Sequence, residues 1–443
     1  MKNIGISIIG TGYVGLITGI TFAKKGYNTI CVDILSNKIE KINRGESPFY
    51  EPNIDNELKE VIKEGRLIGT TNLINAINKT NITFITVNTP LNKNGSTDLS
   101  SIKTVSTQIG MNLKQKRKYH VVVVKSTVPP GTCNKLIIPE IEKSSGKNAG
   151  ENFGFCMNPE FLREGEALYD SYNPDKIIIG EYDKKSGNYL QGIYKKFSCP
   201  KINCSITTAE TIKYAANSFL STKISFANEF SRICEELNID VYEVMKCIGL
   251  DPRIGPYFLN SGVGFGGSCF PKDVKSIISI AKEMHVNTPL LKAVMKINET
   301  QPLHLIEIMS KTIGEIREKK VAFLGLAFKP NTDDVRETTA LPIIKELIKN
   351  GAIIKAYDPL AMNNFKDITN LPIEYVENWK KALQNADIVI INTEWEEFKN
   401  ISADDFKKYM KKPIIIDGRR TYNPMNLISK GIIYKGIGWK NND

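Results

Sequence analysis

One stretch of the chain combines a cysteine, ionisable side chains and three glycines within ten residues. This segment, Gly264–Asp273, reads GFGGSCFPKD. Glycines let the backbone approach a ligand closely, and Pro271 suits the first turn of a helix. Cys269 is therefore predicted just before a helix N-terminus and near Lys272, two features that favour a thiolate nucleophile. Asp273, one turn further on, would act as a base or hold a water. The alternative is a buried structural cysteine on a glycine-rich turn.

A second glycine pattern, GTGYVG, lies close to the N-terminus, between a predicted strand and a predicted helix. Gly10 allows a tight turn, Gly12 lets the backbone approach a pyrophosphate, and Gly15 packs the helix on the strand. Asp33 follows 18 residues after Gly15, at the end of the second predicted strand. A carboxylate there binds an adenosine ribose and disfavours a 2′-phosphate, so the sequence predicts NAD rather than NADP.

Two loops that follow predicted strands carry polar groups, and each loop has two interpretations. In KSTVPPGT, at 125–132, the hydroxyl of Thr127 is placed to hold a ligand or a water, or the loop is a plain turn. In NPEFLREG, at 158–165, Glu160 and Glu164 are four residues apart and either face one site or are surface charges.

Further charged and amide side chains also have two interpretations. Lys213 and Asn217 are four residues apart on a predicted helix and share one face, which is either exposed to solvent or part of a site. Lys329 and Arg336 lie in a charged loop that would clamp the phosphates of a second nucleotide-like ligand, or be solvated. The same alternatives apply to the DGR segment at 417–419.

The elements that must position these groups fall into three segments. Short apolar strands alternate with helices up to about residue 207, which predicts a doubly wound parallel sheet. A helical segment follows, with one long helix over Glu210–Leu237, and the β/α alternation returns after Gln301. The predicted fold is thus α/β, with two doubly wound Rossmann-like domains, 1–207 and 301–443, joined by a helical middle domain, 208–300.

Composition excludes several classes of protein. Apolar content of 41% argues against wholesale disorder. Three scattered histidines and eight cysteines without a CxxC pair predict no metal site and a reducing, cytoplasmic setting. No apolar run approaches the ~18–20 residues of a membrane span, so no membrane association is predicted. The net charge of +11 lacks a basic, aromatic-interleaved cluster, so no nucleic-acid partner is predicted either.

Taken in order, the motifs resemble those of the nucleotide-sugar 6-dehydrogenase family over nearly the whole chain. They are GTGYVG, VNTP, KSTVPPGT, NPEFLREG, GFGGSCFPKD, AFKPNTDDVRE, TEWEEF and DGR. The resemblance implies a four-electron oxidation at C6 of the sugar, from alcohol through aldehyde to carboxylate, with two NAD used in turn. Cys269 would attack the aldehyde to give a thiohemiacetal and then a thioester, which water hydrolyses.

The resemblance also implies roles for individual residues. Lys213 and Asn217 would stabilise the oxyanion, while Thr127, Glu160 and Asp273 would handle water and protons. The positions that match cofactor-binding residues are Gly10, Gly12, Tyr13, Val14, Gly15, Asp33, Lys38, Thr89, Thr127, Glu164, Lys272 and Arg336. Those that match substrate-binding residues are Glu160, Phe161, Leu162, Arg163, Glu164, Lys213, Asn217, Arg253, Tyr257, Gly264, Cys269 and Lys329. Arg253 would enter the substrate site of a neighbouring subunit, in a homodimer formed through the long middle helix.

UDP-glucose is the expected substrate, with GDP-mannose and UDP-N-acetyl-hexosamines as alternatives. Relatives that act on N-acetylamino sugars tend to carry histidine where Ser268 stands, which disfavours that branch. The TEWEEF and DGR segments fit the UDP-glucose branch better than the GDP-mannose branch. Outside the enzyme class, the alternative is a non-catalytic protein that binds nucleotide sugars.

Overall fold

A computed structural model describes residues 4–439, and the chain divides between Ala216 and Asn217 into two units. The first unit is built on an eight-stranded sheet. Its strands are β1 Gly5–Ile9, β2 Asn28–Val32, β3 Leu67–Thr70, β4 Ile82–Ile85, β5 Val121–Val124, β6 Gly154–Met157, β7 Ile177–Glu181 and β8 Lys201–Ser205. Its helices are α1 Tyr13–Lys24, α2 Ser36–Asn43, α3 Ile54–Lys63, α4 Leu73–Lys79, α5 Ser100–Gln115, α6 Ile138–Ser145, α7 Ala167–Tyr172 and α8 Lys184–Ile193, with a π-helical turn at Cys133–Ile137 and a 3₁₀ turn at Tyr194–Lys196.

The strand order of the first sheet creates the crevice in which a ligand of this fold binds. The order is β3-β2-β1-β4-β5-β6-β7-β8, and the direction of winding reverses between β1 and β4. Every pair is parallel except β6 with β7, which is antiparallel. Because parallel strands end at one edge, the loops that begin at Gly10, Asp33, Thr86, Lys125 and Asn158 all lie there. Apolar runs such as the fully buried β5 are explained by the helices that cover both faces.

The helical segment begins with α9, Ile206–Leu237, which has 32 residues and starts four residues earlier than predicted. It is followed by α10 Val241–Gly249, α11 Phe270–Glu283 and α12 Pro289–Ile313. The last of these helices runs past residue 300, the predicted end of the middle domain. It continues through Pro302 because the residues beyond the proline keep one apolar face, with Leu305 and Met309 fully buried.

The second unit contains a six-stranded, wholly parallel sheet with the order β11-β10-β9-β12-β13-β14. Its strands are β9 Lys320–Leu324, β10 Ile353–Tyr357, β11 Ile373–Tyr375, β12 Ile388–Ile391, β13 Ile414–Asp417 and β14 Ile433–Gly436. Its helices are α13 Ala340–Lys349, α14 Met362–Ile368, α15 Trp379–Leu383, α16 Glu396–Lys399, α17 Ala403–Tyr409 and α18 Pro424–Ile428. The predicted α/β architecture with a helical middle segment is thereby confirmed.

Both sheets have an aspartate at the end of one strand that accepts hydrogen bonds from the turn after the neighbouring strand, but the surroundings of the two aspartates differ. Asp358, after β10, accepts from the backbone N–H of Leu326 at 2.7 Å and of Ala327 at 3.0 Å, in the turn after β9. Its counterpart Asp33, after β2, accepts from Thr11 in the turn after β1. Asp358 is fully buried, however, and the next helix after the turn that follows β9 is α13, which begins only at Ala340. The second turn therefore presents no helix N-terminus to a phosphate.

Within residues 4–439 no helix is both long enough and apolar enough to cross a membrane. The same residues contain no group of three or more histidine, cysteine, aspartate or glutamate side chains that could hold a metal ion.

Candidate active site

The glycine turn after β1 fits a dinucleotide pyrophosphate. Gly10 has a φ of +95°, a backbone conformation that requires glycine, and a Cβ at Gly15 would lie 1.8 Å from the Gly10 carbonyl oxygen, so packing requires the second glycine. Gly12 is different, because its φ is −72° and a Cβ there would meet Asn88 Oδ1 at 3.7 Å. No internal contact demands glycine at position 12. The open space lies before the N-terminus of α1, where no side chain caps the N–H groups, and an anion is favoured there.

Asp33 is half-buried beside this turn and is held as an anion. Its Oδ2 accepts from the Thr11 N–H at 2.9 Å and from the Thr11 hydroxyl at 2.7 Å, and its Oδ1 accepts from the Leu35 N–H at 3.1 Å. Burial by itself would raise the pKa of Asp33, but these hydrogen bonds and the charge of Lys38 outweigh it and lower the pKa. A carboxylate that is ionised at neutral pH repels a 2′-phosphate, so the residues fit NAD better than NADP.

Glu51 is a positioning residue that the sequence analysis missed. Its buried carboxylate accepts from the Tyr13 hydroxyl, from the Gly165 N–H at 2.7 Å and from the Ala167 N–H at 2.7 Å. It therefore joins the start of α1, where Tyr13 and the half-buried Val14 lie, to the loop that carries Glu164. A glutamate in a proline-bounded turn offered no sequence signal for such a contact.

At the ends of β4 and β5 the structure brings together two predicted cofactor residues. The Thr89 hydroxyl donates to the Thr127 carbonyl oxygen at 2.7 Å. Thr89 is buried, whereas Thr127 is half-exposed at the sheet edge, so its own hydroxyl is placed at the edge where ligands bind.

Glu160 and Lys213 form a buried ion pair. Lys213 Nζ lies 2.9 Å from Glu160 Oε1, and Glu160 Oε2 accepts from the Leu162 N–H at 2.6 Å. Burial would raise the pKa of Glu160, but the charge and hydrogen bond of Lys213 outweigh burial and lower the pKa. Lys213 Nζ also lies 5.5 Å from the centroid of the Phe161 ring. The pair thus presents a fixed ammonium, which suits the stabilisation of a developing oxyanion.

The remainder of the loop after β6 is irregular up to α7, with Glu160 buried and Glu164 half-exposed. That these two carboxylates face one site stays a prediction. Arg163 is exposed and pairs with Asp170 at 2.6 Å and with Glu166 at 2.6 Å. Its predicted contact with substrate stays a prediction.

In the second unit, Cys269 occupies the predicted position. It is half-exposed and is the N-cap residue of α11, and its carbonyl oxygen accepts from the Asp273 N–H at 2.9 Å. The buried Asp273 carboxylate accepts from Asn217 Nδ2 at 2.6 Å and from Lys272 Nζ at 2.5 Å. A thiol at a positive helix end, one turn from an oriented carboxylate, is an arrangement for nucleophilic catalysis followed by water activation.

The glycine loop before Cys269 is clamped by residues that the sequence analysis did not assign to it. Asn298 accepts from the Phe265 N–H at 2.7 Å and donates to the Phe265 carbonyl at 3.0 Å. Arg419 of the DGR segment donates to the Gly264 carbonyl at 2.9 Å, and its predicted contact with a phosphate stays a prediction. A Cβ at Gly267 would lie 2.7 Å from the Phe328 ring. These contacts explain why the loop requires glycines and fix the backbone that presents the thiol.

The other predicted residues of the second unit lie at the surface or in half-exposed loops. Arg336 pairs with Asp334 at 2.6 Å, and Arg253 pairs with Asp251 at 2.6 Å. Lys329 Nζ lies 5.8 Å from the Phe328 ring centroid. Tyr257 is strongly exposed. Their roles toward nucleotide, substrate or partner stay predictions.

The doubly wound fold, the glycine turn and the ionised Asp33 are typical of a dinucleotide-dependent dehydrogenase. Comparison with known proteins agrees with this class. Residues 4–198, 207–300 and 322–424 match, in turn, the NAD binding, central and UDP binding domains of one family. The chain belongs to the UDP-glucose/GDP-mannose dehydrogenase family, which confirms the predicted family, enzyme class and cofactor.

Three relatives cover almost the whole chain. UDP-glucose 6-dehydrogenase TuaD of Bacillus subtilis is 40% identical over 98% of this chain and 93% of its own length. UDP-glucose 6-dehydrogenase AglM of Haloferax volcanii is 41% identical over 94% of this chain and 96% of its own. The solved structure of a UDP-glucose dehydrogenase from Pyrobaculum islandicum is 35% identical, with a TM-score of 0.91 and coverage of 99% and 98%.

Proposed function

We propose that the protein is an NAD-dependent UDP-glucose 6-dehydrogenase. The observation that carries the proposal is the half-exposed Cys269 at the N-terminus of α11, one helical turn before Asp273. The same chain has a glycine turn of the NAD-binding type between β1 and α1. The substrate is supported by the relatives described above, which are UDP-glucose dehydrogenases by name, and by Ser268 beside the cysteine.

The proposed reaction balances as one alcohol, one water and two NAD⁺ giving one carboxylate, two NADH and three protons. Bound NAD supplies the acceptor for the hydride lost in each oxidation. The first oxidation gives the aldehyde. The Cys269 sulfur then forms a bond to the aldehyde carbon, and Lys213 and Asn217 stabilise the resulting oxyanion. After the second oxidation the carbon is a thioester, and a water that Asp273 orients and deprotonates displaces the thiolate. Thr127 and Glu160 belong to the same water- and proton-handling set.

A side-by-side assay tests the substrate. We expect UDP-glucose to be oxidised with a kcat/KM at least about tenfold above those of GDP-mannose and UDP-N-acetylglucosamine. Absorbance of NADH at the end of the reaction should correspond to two NADH per sugar consumed. A preference for GDP-mannose or for the N-acetylated sugar would replace the proposed substrate. NADH formation from none of the three would favour a non-catalytic binding protein.

We also propose that the partner is a second copy of the chain, bound through α9. Exposed apolar residues repeat at seven-residue spacing along this helix, at Phe219, Phe226 and Ile233, and Leu237 continues the exposed stripe. Such a stripe at heptad spacing is typical of a helix that packs against another helix.

Mass measured by light scattering tests this interface. Wild type is expected to have the mass of a dimer, and Phe226→Glu is expected to shift it toward a monomer because a charge would be buried in the stripe. Met425→Glu is the matched control, since Met425 is exposed on α18. The interface is wrong if Phe226→Glu remains as dimeric as the control.

The proposal also includes the domain division and the cellular location. The three-domain division at 1–207, 208–300 and 301–443 is supported by the ranges that match the three family domains. A cytoplasmic location is supported by the eight cysteines, all of which are free thiols.

A further inference from the structure

Lys125 is a buried lysine at the carboxyl end of β5 that neither the sequence analysis nor the proposed mechanism uses. It follows β5 directly, and its backbone N–H donates to the Ile85 carbonyl of β4 at 2.9 Å. Its Nζ donates to Asn158 Oδ1 at 3.0 Å. Burying an ammonium is costly unless its charge is compensated, so its presence at the ligand-binding edge needs an explanation.

Asn158 is anchored through both polar atoms of its side chain and through its backbone N–H. Its Oδ1 accepts from Lys125 and, at 2.5 Å, from the Tyr194 hydroxyl. Its Nδ2 donates to the Ile178 carbonyl at 2.8 Å, and its backbone N–H donates to the Val124 carbonyl at 2.8 Å. Asn158 is therefore the fixed point from which the Asn-Pro-Glu segment leaves β6.

Glu160 follows this fixed point after a single proline, whose ring restricts the backbone between them. The Glu160 carboxylate is the one that pairs with Lys213 at 2.9 Å. The buried cluster thus contains two ammonium groups and one carboxylate. The charge of Lys125 is one of the causes that lower the pKa of Glu160, after those of Lys213 and the Leu162 N–H.

We propose that Lys125 is a positioning residue of the dehydrogenase reaction, which holds Glu160 oriented and ionised as the partner of Lys213 through its bond to Asn158 and its positive charge. This inference rests on the proposed function. A neutral donor such as the Tyr194 hydroxyl already bonds the same oxygen of Asn158. The charge of Lys125 is therefore what distinguishes the two donors, and it is the property to test.

The pH dependence of that charge has a definite sign. The net pKa of Lys125 is lowered to about 8: burial is the largest cause, the charge of Glu160 opposes it, and the charge of Lys213 adds a smaller lowering. Those two charged groups act on Lys125, and the Tyr194 hydroxyl bonds the same oxygen of Asn158 as Lys125 does. The positive charge is hence complete well below pH 8 and is lost as the pH rises through about 8.

Three variants separate charge from hydrogen bonding. Lys125→Met removes the charge, Lys125→Arg keeps it at every pH of the assay, and Tyr194→Phe is the matched control that removes a neutral donor from the same oxygen. At about pH 7, kcat of Lys125→Met is expected to fall about tenfold or more, with the KM for NAD changed less than about twofold. Lys125→Arg should recover most of the loss.

The test of the charge is the ratio of each variant's kcat to the wild-type kcat, measured from about pH 7 to about pH 9. Other groups that titrate affect variant and wild type alike, so their effect cancels in this ratio. The deficit of Lys125→Met should shrink and the relative activity of Lys125→Arg should rise as wild type loses its charge. The ratio for Tyr194→Phe should stay constant. The proposal is overturned if the kcat ratio of neither Lys125 variant changes with pH. If Lys125→Met does not fold, the ratio of Lys125→Arg is by itself sufficient for this test. An inactive wild type would instead contradict the proposed function.

Discussion

Replacing Cys269 by serine is expected to lower steady-state oxidation of UDP-glucose by at least about 10³-fold. The thiol lies at the N-cap of α11, where the helix dipole stabilises a negative sulfur, and a serine hydroxyl at the same place stays protonated and is a weak nucleophile. The covalent intermediate would then not form. Binding of NAD, followed by fluorescence of bound NADH, should be unchanged, because the glycine turn and Asp33 belong to the first unit.

The stoichiometry of the reaction gives a sharper measurement than the rate. The first oxidation, from alcohol to aldehyde, needs no sulfur nucleophile, so the serine variant should release at most one NADH per sugar, against two for wild type. Cys247→Ser is the matched control, since Cys247 is exposed on α10 and lies outside the site residues. It should retain wild-type rate and stoichiometry. Two NADH per sugar from Cys269→Ser at a near-normal rate would show that the nucleophile has been wrongly assigned.

The sequence predicts those parts of the site whose conformation is determined by residues within one short segment. The GTGYVG turn needs glycine at position 10 because of a positive φ and at position 15 because of a contact with Gly10. The turn and the start of the helix that follows it lie within a few residues of each other. The cysteine loop is similar, because Pro271 and the glycines mark the helix start that places the thiol. Such local geometry depends on backbone conformation, which residue type restricts directly.

The residues that support the site could not be predicted, because the groups they bond are far away in the sequence. Asn298 clamps a loop 33 residues earlier, and Arg419 reaches Gly264 across 155 residues. Glu51 bonds backbone groups 114 and 116 residues away. A lone polar side chain in an otherwise ordinary segment carries no signal of such a partner. The antiparallel pairing of β6 and β7 was equally hidden, since strand direction depends on the path of the connection rather than on the strand residues.

The buried pair of Glu160 and Lys213 allows stability and catalysis to be separated. Lys213→Met is expected to lower the free energy of unfolding of the first unit by about 3–5 kcal/mol, because it leaves a buried carboxylate without its ion-pair partner. The residual charge of Lys125 and the Leu162 N–H place the expected loss at the lower end. Denaturation by urea, followed with a probe in the first unit, measures it.

The double variant Lys213→Met/Glu160→Gln supplies the matched control. Without the carboxylate no unpaired anion remains, so most of the lost stability should return. Turnover should stay about 10²–10³-fold below wild type, because the ammonium proposed to stabilise the oxyanion is still absent. The pH dependence has a definite sign as well. The lowered pKa of Glu160 means that its stabilising contribution in wild type is present at neutral pH and is lost as the pH falls through the folded-state pKa. The cost of Lys213→Met should therefore shrink in acid, where Glu160 of the variant can take up a proton. Equal instability of the single and double variants would show that the ion pair does not account for the loss, and recovery of turnover in the double variant would remove Lys213 from the catalytic set.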